Sequence, residues 1–128
     1  MARLTFRPPW VDGASPAWLT SLRNMAGAYI IRPRGGGRAL YVGSSGGRLS
    51  VRKGRKAYYS SGKLYDTITR HFRSWSGDTA GKTYDRSSVE VAIVTCPPRS
   101  APAVERRLMR QWNPRDNDYR MTDEPAPF

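Results

Sequence analysis

The chain has 128 residues, a hydrophobic share of 38% and a formal net charge of +12, from 22 Lys and Arg against 10 Asp and Glu. That content supplies one small core and excludes two, and no run approaches the roughly 18 consecutive apolar residues of a membrane span. The positive excess points to a polyanionic partner, and the single Cys96 excludes a disulfide framework and fits a reducing, intracellular (cytoplasmic) setting.

Residues 1–13, with Pro8 and Pro9, read as an irregular arm. Ser15 followed by Pro16 suits a helix cap and first helical position, and Trp18, Leu22 and Met25 at helical spacing predict a short helix to about residue 25. Residues 28–32 and 38–42 are short apolar, aromatic-rich runs separated by Pro33, Arg34 and the glycines at 35–37, which predicts a hairpin. A turn centred on Gly35 sets Tyr29 opposite Tyr41, so that both phenols emerge on one face.

Residues 43–62 read as a loop of Gly, Ser and cations around a short Ala57-Tyr58-Tyr59 patch. From Lys63 the pattern turns helical, with Leu64, Ile68 and Phe72 at i, i+4 and i+8 and with Tyr65 and Trp75 extending the apolar side. Residues 89–94, interrupted only by Glu90, predict a buried strand. A helix over 101–112 follows from Ser100 as cap, Pro102 in the first turn, the stripe Val104, Leu108 and Trp112, and Pro114 as its stop. This order predicts an α+β fold, a small and mostly antiparallel three-stranded sheet flanked by helices. The folded unit spans 27–117, preceded by the arm and short helix of 1–26 and followed by an irregular tail over 118–128.

The cations are unevenly placed. Between Ile30 and Trp75 the only acid is Asp66, while Asp116, Asp118, Asp123 and Glu124 gather later. Charge alone suits a nucleic-acid enzyme, a binding module or a structural protein of a ribonucleoprotein or phage particle.

More specific are Gly27-Ala28-Tyr29 and, a hairpin later, Tyr41-Val42-Gly43. They are followed in order by Leu64-Tyr65-Asp66-Thr67-Ile68-Thr69-Arg70-His71-Phe72, the apolar strand, Glu105 within an amphipathic helix, and Trp112-Asn113-Pro114-Arg115-Asp116-Asn117. This succession resembles the GIY-YIG nucleases over residues 27–117. The long basic loop between Gly43 and Leu64 looks most like the restriction-endonuclease branch of that superfamily.

The resemblance implies a metal-dependent endonuclease that hydrolyses phosphodiester bonds of DNA, double-stranded in the leading reading. It implies Glu105 as ligand to one divalent metal, Mg²⁺ or another such as Mn²⁺, a role that suits an ion that keeps most of its waters. Tyr29 and Tyr41 are expected beside the attacking water, His71 as a proton relay or phosphate contact, and Asn117 as an orienting residue. Arg48, Arg52, Lys53, Arg55, Lys56 and Arg73 are expected to track the DNA backbone. On residue type alone, Glu105 also reads as a solvated helix residue, the tyrosines as strand aromatics, His71 as a structural histidine and Asn117 as a turn former.

One position departs from the pattern. Thr67 stands where the family carries its catalytic arginine, four residues before the histidine, and a hydroxyl cannot grip a phosphate as a guanidinium does. Positions 63, 67 and 71 share a helix face and 70 lies beside 67, which makes Lys63 and Arg70 the near substitutes, with Arg48 or Arg52 reaching in from the loop. The alternative is a catalytically weak or inactive nucleic-acid-binding module on the same fold.

Overall fold

A computed structural model describes the protein at residues 4–47, 49–50, 58–59, 61–72 and 83–117. The central strand, β1 (Gly27–Pro33), buries Ala28, Tyr29, Ile30 and Ile31 in succession. A strand apolar on both faces needs cover on both, and β1 accordingly lies in the middle of a three-stranded antiparallel sheet. Its neighbours are β2 (Tyr41–Ser45) and β5 (Val89–Thr95), in the order β2-β1-β5. The fold is α+β, as the element order predicts.

Strand alternation sorts the core into two halves. Tyr29 and Ile31 face a cluster with Leu64, Ile68 and Phe72, completed by Leu19, Leu22, Val89 and Val91. Ala28, Ile30 and Val42 face the other way, against Leu108 and Met109. Leu64, Ile68 and Phe72 are fully buried, each worth about 1.5–3 kcal/mol of apolar transfer. The first half lies under α1 (Ala17–Thr20) and α2 (Leu64–Thr69), the second under α3 (Ala101–Trp112).

Helix α3 spans the predicted residues. It follows a 3₁₀ turn over Pro98–Ser100 and ends at Asn113, whose φ of 46° is the left-handed conformation of a helix stop, with Pro114 blocking continuation. Ser100 occupies the cap position without a side-chain cap bond.

Several expectations need correction. The hairpin pairs Tyr29 with Gly43 and Ile31 with Tyr41, a register two residues away from one that sets Tyr29 against Tyr41. The second strand starts at Tyr41; just before it the Leu40 amide donates to the Ile31 carbonyl at 2.7 Å, while the carbonyls of Ala39 and Leu40 accept from the amides of Arg115 and Asp116 at 3.0 and 2.9 Å. A shift of two preserves face, so both phenols still emerge together. The short helix is a single turn, with Pro16 at its cap position. Turns over 21–24 follow, and Met25 is exposed while Leu19 takes the buried place. The Ser15 hydroxyl is buried with no hydrogen-bond partner, so it is not the cap.

The expected loop over 43–62 contains a second, two-stranded antiparallel sheet, β3 (Leu49–Ser50) with β4 (Tyr58–Tyr59). Helix α2 stops at Thr69, because the amides of His71 and Phe72 bond to the carbonyls of Ile68 and Thr69, three residues back, tightening the last turn. The arm is also less irregular than its prolines suggest. Arg7 exchanges both backbone hydrogen bonds with Val91, and Phe6 packs edge-on against Trp112. The cross-strand pair Arg32–Glu90 is an ion pair, and the Arg32 guanidinium lies 3.5 Å from the centre of the Phe6 ring. Among the described residues no helix is long and apolar enough to cross a membrane.

Candidate active site

Tyr29 projects from β1 onto the α2 side and lies over Gly43, its partner on β2. A Cβ at Gly43 would stand 2.6 Å from Tyr29 Cζ, so the close approach of ring to backbone needs a glycine there. The Tyr29 hydroxyl and His71 Nε2 are hydrogen-bonded at 2.9 Å, with the two residues only 2% and 3% exposed. The phenol donates when Nε2 is unprotonated, and Nε2–H donates to the phenol oxygen in the other tautomer or in imidazolium. Tyr41 closes the group, its ring 4.5 Å from that of His71 and 6.3 Å from that of Tyr29. It is only half-buried, and so forms the side of the cluster nearest solvent.

His71 reaches this position because the tightened end of α2 turns it inward. Its carbonyl then accepts from the Tyr84 amide at 2.6 Å, and the Tyr84 ring lies 6.2 Å from the imidazole. The Tyr84 hydroxyl donates to Asp116 Oδ2 at 2.7 Å, while Arg115 donates to both oxygens of that carboxylate at 2.9 and 3.0 Å. Burial first, and the Asp116 acceptor second, push the Tyr84 phenol well above its ordinary value of 10.0. Neither Tyr84 nor Asp116 stands out in the sequence. The one available signal is the place of Asp116 directly before Asn117.

Asn117 is 1% exposed and clamps the free edge of β2. Its Oδ1 accepts from the Val42 amide at 3.0 Å and its Nδ2 donates to the Val42 carbonyl at 2.9 Å. The side chain thus completes a strand edge between Tyr41 and Gly43, and its visible work is to hold the backbone that carries the tyrosine.

Glu105 sits elsewhere. Tyr41 and Gly43 face α2, whereas Val42 and Ser44 face α3 by alternation. Glu105 Oε1 accepts from the Ser44 hydroxyl at 3.1 Å, so its carboxylate and the Tyr29 phenol lie on opposite sides of the same strand. The next residue, Ser45, accepts the Lys63 backbone amide on its hydroxyl at 2.8 Å. Gly43, Ser44 and Ser45 in succession therefore touch Tyr29, Glu105 and Lys63. Thr67 turns its hydroxyl back to the Lys63 carbonyl at 3.0 Å. Lys63 and Arg70 are exposed.

The donor set bears on a metal. Among the described residues no group of three His, Cys, Asp or Glu converges. A half-buried carboxylate beside a hydroxyl offers hard oxygens, which fit a magnesium-like cation that retains most of its waters. Arg48, Arg52, Lys53, Arg55, Lys56, Arg73, Ala57, Trp75 and the tail over 118–128 lie outside the described residues. Comparison of the chain with family models, with curated proteins and with solved structures found no match.

Proposed function

We propose that the chain is a GIY-YIG-like, metal-dependent endonuclease acting on phosphodiester bonds of DNA. The observation that carries this reading is the buried Tyr29–His71 hydrogen bond with the Tyr41 ring against the imidazole. A phenol and an imidazole at 2.9 Å can pass a proton between them. Tyr41, at the solvent side, is where a substrate oxygen or an attacking water meets this pair. Glu105 and Ser44 would hold Mg²⁺ or Mn²⁺, which when bound takes up charge on phosphate oxygens. Among the described residues, Lys63 and Arg70 are the candidate cations in place of the arginine absent at Thr67. Lys63 is the better placed, since its backbone is tied to the strand end that also meets Glu105 and Tyr29.

A second reading is favoured by two specific observations. Thr67 is turned into its own helix, and Glu105 stands across β2 from the tyrosines. Both suit a nucleic-acid-binding module that does not cut. Supercoiled plasmid incubated with the full chain over a series of divalent metals separates the two. The nuclease reading expects nicked or linear product with Mg²⁺ or Mn²⁺ that disappears in Glu105→Ala and His71→Ala. Tight binding that leaves the plasmid intact in every metal, unaltered by Glu105→Ala, establishes the module instead.

A further inference from the structure

Helix α3 buries Ala101, Leu108 and Met109 and directs Glu105 to Ser44. Its opposite side carries Ala103, Arg106, Arg107, Arg110 and Gln111, spaced as one continuous helical stripe. All five are exposed, and together they line an open depression of about 570 Å³. The ion pairs Arg32–Glu90 and Arg115–Asp116 involve none of Arg106, Arg107 and Arg110.

An ordinary solvated helix face interleaves acids and bases at i and i+4. Here Arg106 faces Arg110 at i+4 and Arg107 faces Arg110 at i+3, like-charge pairs that weaken a helix. The helix dipole favours a cation in the last turn, which accounts for Arg110 but not for Arg106 and Arg107 in mid-helix. The only acid of α3, Glu105, is turned to the other side. An anion brought to the stripe removes the repulsion.

We propose that the outward arginine stripe of α3 is a contact for the phosphate backbone of duplex DNA, separate from the tyrosine–histidine cluster. Guanidinium groups hold phosphate oxygens bidentately. Arg106 and Arg110 are about 6 Å apart along the helix axis, close to the rise over two phosphates of one strand. Ala103 leaves the depression open to a phosphate between the longer side chains. An acidic membrane is a poorer fit, because an interfacial helix inserts its apolar face, and that of α3 is committed to the sheet. Since α3 covers the sheet face opposite Tyr29 and His71, the stripe holds flanking duplex and not the reacting phosphodiester. The choice of DNA as partner rests on the function proposed above; the binding itself requires no cleavage.

The test is fluorescence anisotropy of a short labelled duplex with the full chain in EDTA, over a series of salt concentrations. Replacing Arg106, Arg107 and Arg110 together by Gln is expected to weaken binding by about tenfold or more and to lower the salt slope by about 2–3. Each single Arg→Gln variant is expected to lower the slope by about 1, which keeps the test intact if the triple variant fails to fold. Wild-type affinity and slope in the folded triple variant overturn the proposal. So does competition by poly-glutamate as strong as by duplex DNA, or tighter binding of the same sequence as duplex RNA. Weak binding by the triple variant beside a wild type that cuts nothing refutes the nuclease reading alone. Loss of cleavage in His71→Ala, with full binding by the triple variant, refutes the stripe alone.

Discussion

Tyr29 and His71, 42 residues apart in the chain, share a hydrogen bond of 2.9 Å beneath almost no solvent. The bond ties the middle strand of the sheet to the residue that leaves α2, so it belongs to the core as well as to the candidate site. Tyr29→Phe keeps the ring over Gly43 and removes the partner that the phenol supplies to a buried imidazole. A loss of about 1–3 kcal/mol is expected, read as a lower urea midpoint at unchanged m-value. The same variant is expected to lose plasmid cleavage if the nuclease reading holds; full cleavage would remove Tyr29 from the chemistry.

Gly43→Ala tests the close approach of ring and strand. The added Cβ would meet Tyr29 Cζ at 2.6 Å and Cε1 at 3.0 Å, atoms that phenylalanine also has. The expected cost is about 1–3 kcal/mol, and combining the substitution with Tyr29→Phe should not restore stability. Recovery of the wild-type melting temperature in the double variant would mean that the hydroxyl, and not the ring, is what Gly43 accommodates.

Asn117→Ala leaves both the amide and the carbonyl of Val42 without the side chain that satisfies them, for a cost of roughly 2–4 kcal/mol. Asn117→Asp makes a pH test. Its carboxylate would face the Val42 carbonyl, which raises its folded-state pKa above the unfolded value near 3.9. Stability is then present below about pH 4 and lost as pH rises through the folded pKa. Thermal melts at acid and neutral pH check this. An Asp variant equally stable at both would show that the clamp tolerates the charge.

Tyr84 sets an alkaline limit. Its folded pKa is raised by burial and by Asp116 above the ordinary 10.0. Its contribution is therefore complete below pH 10 and is lost progressively above it, as the unfolded chain releases the proton and the folded chain does not. Tyr84→Phe should unfold with a shallower dependence on pH in that range. Identical alkaline profiles for variant and wild type would contradict the assignment.

Lys63 and Arg70 differ in their ties to the strand end. If Lys63 stands in for the missing arginine, Lys63→Ala should lower plasmid cleavage by about two to three orders of magnitude. Arg70→Ala should change it by much less, with binding measured alongside. The reverse ranking would assign the role to Arg70.

The order of the three main strands and the helices around them, the span of α3, the buried strand and the common face of Tyr29 and Tyr41 were legible in the residues, because each rests on local periodicity and on Pro and Gly punctuation. Helix α3 ends where Pro114 and a left-handed Asn113 require it. Tyr29 and Tyr41 share a face in either register, since an even shift keeps parity. What depended on distant chain was not legible. The hairpin register was not legible, and neither was the cover that residues 115–117 give to the chain at 39–42. The side of the sheet on which Glu105 lies was decided by the packing of α3 on Ala28, Ile30 and Val42, and the burial of His71 by a tightened turn after Thr69. Periodicity assigns a residue to a face of its own element; which other element covers that face is settled by packing between segments far apart in the chain.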